Sequence, residues 1–149
     1  MTLTIRDAVP DDLPQVHRMI AELARHHGEA ATITLDDLRQ QVTTARRAQV
    51  LVAAEPEGLV GYALVLTKPN LVSGGISHEV NHLFVTEWRR RAGIGRALIA
   101  AVRARSLAEG AEALLIGTHR DNLGAQAAYR DMGLEEVPLG GPRFRVSLG

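Results

Sequence analysis

Apolar residues recur along the chain with two different periods, and the switches between those periods mark its elements. Leu3, Ile5 and Arg6–Ala8 read as a short first strand, closed by Pro10 and the acidic pair Asp11 and Asp12, either of which serves as a helix cap. Leu13, Val16, Ile20, Leu23 and Ala24 then fall on one helical stripe, which Gly28 is placed to stop. After a loop at Glu29–Ile33, Thr34 and Asp37 form the capping box of a second short helix carrying Leu35, Leu38 and Val42. Two β-branched-rich runs, Gln49–Glu55 and Leu59–Lys68, flank Pro56, Glu57 and Gly58 and predict a hairpin of central strands.

Asn70–Ser77 reads as a flexible turn and Glu79–Val85 as the next strand. The period then changes abruptly: Gly93 and Gly95 lead into Ile94, Leu98, Ile99 and Val102 at helical spacing, which runs to Gly110. Ala113–Thr118 predicts a strand, Gly124–Met132 a short helix ended by Gly133, and Leu134–Val137 with Phe144–Leu148 a final strand pair. This order gives a mixed α/β (α+β) sheet with helices on both faces. Repeats, linkers and low-complexity segments are not evident in the sequence, and 149 residues fit a single domain spanning 1–149.

Composition narrows the chemistry. Hydrophobic residues make up 46% and charged residues 23%, enough to build a core. Lys plus Arg is 17 and Asp plus Glu is 17, so no global field draws in nucleic acid or an anionic membrane, and any polyanion must be held locally. Only Lys68 among the cations is a lysine, a bias that carries no functional weight in the sequence itself. The absence of cysteine excludes disulfides, thiolate metal sites and a cysteine nucleophile. Nothing at the start reads as a signal peptide, and the longest apolar run, Leu59–Leu66, is far too short for a membrane span, so the expected setting is the cytoplasm.

The most informative segment is Arg90, Arg91, Ala92, Gly93, Ile94, Gly95, placed between a predicted strand and a predicted helix. Such a turn aims several N–H groups and the positive end of a helix dipole at one point, where an anion is stabilised. The glycines allow close backbone approach, and Arg89–Arg91 with Arg96 supply local cations. A nucleoside-triphosphate P-loop is excluded, since no Lys followed by Ser or Thr succeeds the glycines, and a dinucleotide fingerprint is excluded because Leu98 stands where its third glycine belongs. A pyrophosphate fits what remains.

Arg90-x-x-Gly93-x-Gly95, preceded by Glu79-Val80-x-x-Leu83-Phe84-Val85, resembles the acyl-CoA-binding motif of the GNAT superfamily of N-acetyltransferases. Asn122-x-x-Ala125-x-x-x-Tyr129-x-x-x-Gly133-Leu134 is similar to that superfamily's second signature. Glu87 and Leu134 are mild departures, standing where relatives often carry proline and phenylalanine. The resemblance implies a mainly antiparallel mixed sheet of about seven strands flanked by about four helices. It also implies acetyl-CoA as cosubstrate, held by Leu83, Phe84, Val85, Arg90, Arg91, Ala92, Gly93, Ile94, Gly95, Arg96, Asn122, Ala125 and Tyr129. The acyl carrier would lie where the strand ending at Val85 splays from the strand starting near Ala113, with main-chain groups of Leu83 and Val85 pairing with the pantetheine arm.

In that family an amine attacks the thioester directly, through a tetrahedral intermediate, and a protonated alkylammonium must first lose a proton. Glu79, eleven residues before Arg90, stands where related enzymes carry a glutamate base, and Asn81 would share its face by the two-residue period. Tyr129 matches the family's proton donor to the departing thiolate. The expected activity is acetylation of a primary amine of a small molecule, the alternatives being a protein N-terminus or lysine, or a non-catalytic acyl-CoA sensor. By analogy a homodimer is expected, without nucleic-acid or membrane partners. No metal is expected: on one strand His78 and His82 lie about 13 Å apart, too far for one ion. His119, beside the cleft, is a further candidate base, and His26, His27 and Glu29 fall in the presumed substrate loop.

Overall fold

The computed structural model of the chain describes residues 2–138 and 140–149. They form two compact units, Met1–Gly117 and Thr118–Gly149. The first unit holds a five-stranded sheet in the order β1-β2-β3-β4-β5, with β1 Thr4–Asp7, β2 Ala48–Glu55, β3 Gly58–Pro69, β4 Ile76–Val85 and β5 Ala113–Ile116. Neighbours pair antiparallel except β4 and β5, which run parallel. Helices α1 Leu13–His26 and α2 Leu35–Arg39 cover one face, and α3 Ile94–Ala108 covers the other.

Local chemistry accounts for the element ends. Asp12 accepts from the Val9 N–H at 2.7 Å and from Arg6, which ties β1 to the start of α1. The Arg6 guanidinium holds the Asp12 carboxyl below the usual carboxylate range. Thr34 and Asp37 close a reciprocal capping box at the head of α2, and one π-helical turn, Gln40–Thr44, extends it. Gly28 takes φ +72° just beyond α1, the left-handed geometry that ends a helix.

Strand alternation divides the core between the two faces. Val50, Val52, Tyr62, Leu64 and Phe84 pack with Leu13, Val16, Met19, Ile20 and Leu38 under α1 and α2. Leu51, Ala53, Ala63, Val65 and Val80 pack with Ile94, Leu98 and Val102 under α3. Because the middle of β3 is buried on both faces, Gly61 matters: a Cβ there would lie 2.6 Å from the Phe84 carbonyl oxygen.

The second unit contains α4, Leu123–Asp131, begun by the Asn122 side chain, which accepts from the Ala125 N–H at 3.1 Å. In place of about seven expected strands, five are present among the described residues. The predicted final pair, Leu134–Val137 and Phe144–Leu148, carries no strand there. Phe144, Val146 and Leu148 are 93%, 76% and 94% exposed. An alternating stripe with no buried face has little to hold it in register.

Gly61→Ala is expected to lower the unfolding free energy by about 1–3 kcal/mol, because the new methyl meets backbone rather than a movable side chain. Urea denaturation monitored by circular dichroism measures this.

Candidate active site

The site is built around one irregularity in β4. Leu64 of β3 pairs with His82, but the next residue, Val65, pairs with Val80, so Asn81 is an extra residue in the strand. Such a bulge inverts the in-out alternation on either side of it. His78 and Val80 face α3 before it, whereas His82 and Phe84 face α1 after it. Glu79 therefore shares its face with His82 and Phe84, and the simple two-residue period that grouped it with exposed Asn81 fails.

The bulge is also where β4 leaves its other neighbour. Pairing with β5 runs from Ser77↔Ala113 to Val80↔Ile116, while β4 continues to Val85. The Thr86 N–H bonds the Val60 carbonyl, so by antiparallel alternation the N–H and C=O groups of Leu83 and Val85 point away from β3. They face the side that β5 has stopped covering. The Leu83 and Val85 side chains pack against the α3 core, and Phe84 is buried against Tyr62 on the opposite face. The Val85 carbonyl accepts from Arg90 Nε at 3.0 Å.

Beyond Val85 the chain makes the turn into α3. Arg91 at φ +65° and Gly93 at φ +79° are both left-handed, and Gly93 is the N-cap. A Cβ at Gly93 would meet no atom within 4 Å, so its φ and not packing calls for glycine, and the space beside the first turn of a 15-residue helix stays open. The first N–H groups of a helix have no partner within it. Buried Ile94 anchors the turn, while Ala92, Arg91 and Arg96 are exposed. Open space, free donors and two cations suit a pyrophosphate.

The arginines divide their roles. Arg89 is committed to buried Glu55 through Nε at 2.7 Å and Nη2 at 3.0 Å, which fastens the turn to the end of β2. Arg90 lies over the Phe84 ring and donates to His26 Nε2 at 3.1 Å. Arg91 and Arg96 are exposed, as Arg90 is, and add their charge to the turn.

Over the outer half of β4 stand groups whose importance the linear motifs do not signal. Tyr62 is fully buried, and its hydroxyl is 3.1 Å from His82 Nδ1. Burial pushes the Tyr62 phenol up, so it stays protonated. Burial, and to a lesser degree nearby His27, pushes the His82 imidazole down, so it is neutral at pH 7. Glu79 is ion-paired with Lys68, Nζ to Oε2 at 2.5 Å. His78, by contrast, is sealed in the α3 core against Ser106 Oγ at 2.7 Å.

In the second unit, Tyr129 lies on α4 with Ala125 one helical turn before it, and both are half-buried. Burial raises the Tyr129 phenol above its ordinary range, so it too is protonated at neutral pH. Asn122 acts as the cap. His119 Nδ1 accepts from the Asp121 N–H at 3.1 Å within the same loop. Among the described residues no cluster of three or more metal-ligating side chains occurs, and no helix is long and apolar enough to cross a membrane.

Residues 15–134 match the acetyltransferase (GNAT) family. Over 137 residues, 90% of this chain and 87% of the relative, the sequence is 32% identical to an aminoglycoside N(6')-acetyltransferase type 1 from Stenotrophomonas maltophilia. The fold is similar to that of a probable acetyltransferase, with TM-score 0.87 at 17% identity over 97% of this chain and 98% of that one. It is also similar to an aminoglycoside acetyltransferase from an uncultured soil metagenomic sample in complex with sisomicin, with TM-score 0.84 at 19% identity over 97% of each chain. A ribosomal-protein-alanine N-acetyltransferase from Brucella melitensis has TM-score 0.79 at 20% identity over 98% of this chain and 100% of that one.

Two outcomes follow from this geometry. Gly93→Asp is expected to weaken coenzyme A binding at least about tenfold with the fold intact, since a carboxylate would stand in the open space at the start of α3, where a phosphate is expected; titration calorimetry beside thermal unfolding checks it. His82 has its folded pKa below its unfolded value, so the unfolded chain binds more protons and stability falls as pH drops through about 6.5, levelling off below the folded pKa. Urea midpoints at pH 7.5 and 5.5 should therefore converge in His82→Gln relative to the wild type.

Proposed function

Because the chain belongs to the GNAT family of acetyl-CoA-dependent N-acetyltransferases, we propose that it acetylates a primary amine of a small molecule. The observation that carries this reading is the Lys68–Glu79 ion pair, an alkylammonium on the carboxylate beside the point where β4 leaves β5. A primary amine acceptor presents the same group, and its proton must go somewhere before its nitrogen can attack. The sequence likeness to an aminoglycoside acetyltransferase supports a small, cationic acceptor over a protein terminus.

Acetyl-CoA supplies an acetyl group already activated as a thioester. The chain's part is to hold, orient and move protons. The outward main-chain groups of Leu83 and Val85 would receive the amide-bearing pantetheine arm as an added strand, one N–H supporting the negative charge that develops on the thioester oxygen. The Val85 carbonyl then exchanges Arg90 Nε for its new partner. Amides from Arg91 to Gly95, with Arg91 and Arg96, would hold the pyrophosphate. Ile94 buries the helix start that presents those amides, and Phe84 buries the strand they follow.

Glu79 would take the acceptor's proton, and the Tyr129 hydroxyl would donate to the departing sulfur. A thiolate has a conjugate-acid pKa of about 8.5, low enough to leave but helped by a proton in place. A phenol whose pKa burial has raised is in its protonated form throughout the working range. Asn122 and Ala125 set the first turn of the helix that carries it.

Thiol release from acetyl-CoA across a panel of amines tests the reading: release with aminoglycoside-like amines supports it, and release only with peptide N-termini contradicts the acceptor class. Glu79→Gln is expected to lower kcat/KM by about a hundredfold near neutral pH, the deficit narrowing at high pH where the free amine is abundant. Tyr129→Phe is expected to lower kcat roughly tenfold to a thousandfold with acetyl-CoA affinity nearly unchanged, the pattern of a lost transition-state contact.

A further inference from the structure

Lys68 is the sole lysine among 149 residues, and its Nζ rests 2.5 Å from Glu79 Oε2. It stands near the end of β3, two residues past Leu66, the cross-strand partner of Glu79, a diagonal relation that lets two long side chains meet on one face. The Lys68 side chain is 55% exposed and that of Glu79 30%, so the amine is open to solvent. Sixteen of the chain's 17 cations are arginines, which cannot lose a proton to become nucleophiles. The one side chain able to do so sits on the carboxylate placed to deprotonate an amine.

We propose that Lys68 is a site of self-acetylation, an inference that rests on the acetyl transfer and the role of Glu79 proposed above. The Lys68 ammonium gives one proton to Glu79, which passes it to solvent. The freed Nζ lone pair forms a bond to the acetyl carbonyl carbon, and the carbon–sulfur bond breaks with its electron pair on sulfur. The second Nζ proton goes to that sulfur, leaving an N-acetyl-lysine amide and coenzyme A as the free thiol. Acetyl-CoA, the cosubstrate of the family, is the only co-reactant needed.

Modification changes the site itself. The amide carries no charge, so it no longer neutralises Glu79, and the carboxylate becomes available to an incoming ammonium. Lys68 thus acts as a tethered first acceptor whose acetylation opens the base to an external amine.

Intact-protein mass spectrometry over time, with full-length chain stripped of coenzyme A and then given acetyl-CoA, tests this, with peptide mapping to separate Lys68 from the N-terminal amine. The expected result is one acetyl group on Lys68, added at a rate independent of protein concentration, absent in Lys68→Arg and slowed at least about tenfold in Glu79→Gln. Acetylation equally fast in Glu79→Gln that is folded by circular dichroism, or a rate that rises with protein concentration, overturns it. Thiol release with an amine by wild-type chain that stays unmodified at Lys68 overturns this inference alone, whereas neither release nor modification overturns it together with the function it rests on.

Discussion

One unpaired backbone segment governs the candidate site. Hydrogen bonds between β4 and β5 end at Val80 and Ile116, while β4 runs on to Val85 with its outward main-chain groups facing the side that β5 no longer lines. Exposed donors and acceptors on a strand edge invite another chain to pair with them, and proteins ordinarily cover or disrupt such edges. Here the edge is short and bulged at Asn81, and the Val85 carbonyl is occupied by Arg90. An extended ligand bearing amides would satisfy the same edge.

The bulge does a second task. By inverting the alternation it turns His82 and Phe84 onto the face that Glu79 already occupies, and so gathers an acid, an imidazole and a buried phenol on one side of the sheet. The left-handed turn at Arg91 and Gly93 lies only a short way beyond the bulge, so Glu79, the strand edge and the glycine turn are carried by one continuous stretch of chain. Buried Glu55 fixes that stretch through Arg89, and Gly61 lets β3 approach closely enough to pair with it. Losing either would loosen the site without touching a reacting atom.

Much of this is legible in the amino-acid sequence alone. Periodicity locates α1, α3 and the β2–β3 hairpin to within a residue or two, because long amphipathic stripes and tight turns are local properties. The glycine loop is legible because positive φ and a helix N-terminus leave a compositional trace. Asn81 leaves none: a bulge depends on register with the neighbouring strand, and only the paired backbone shows it. The same holds for Lys68 on Glu79 and for Tyr62 on His82, both cross-strand contacts between residues far apart in sequence. The final strands fail for the converse reason, since Phe144, Val146 and Leu148 alternate well but remain exposed.

Amide hydrogen–deuterium exchange resolved to single residues, with and without coenzyme A, tests most directly whether the unpaired edge is the binding edge. New protection is expected at the Leu83 and Val85 amides and across Arg91–Arg96, with β2 unchanged. Protection that leaves Leu83 and Val85 exchanging as in the free protein would contradict it, and would remove β4 from the cosubstrate site.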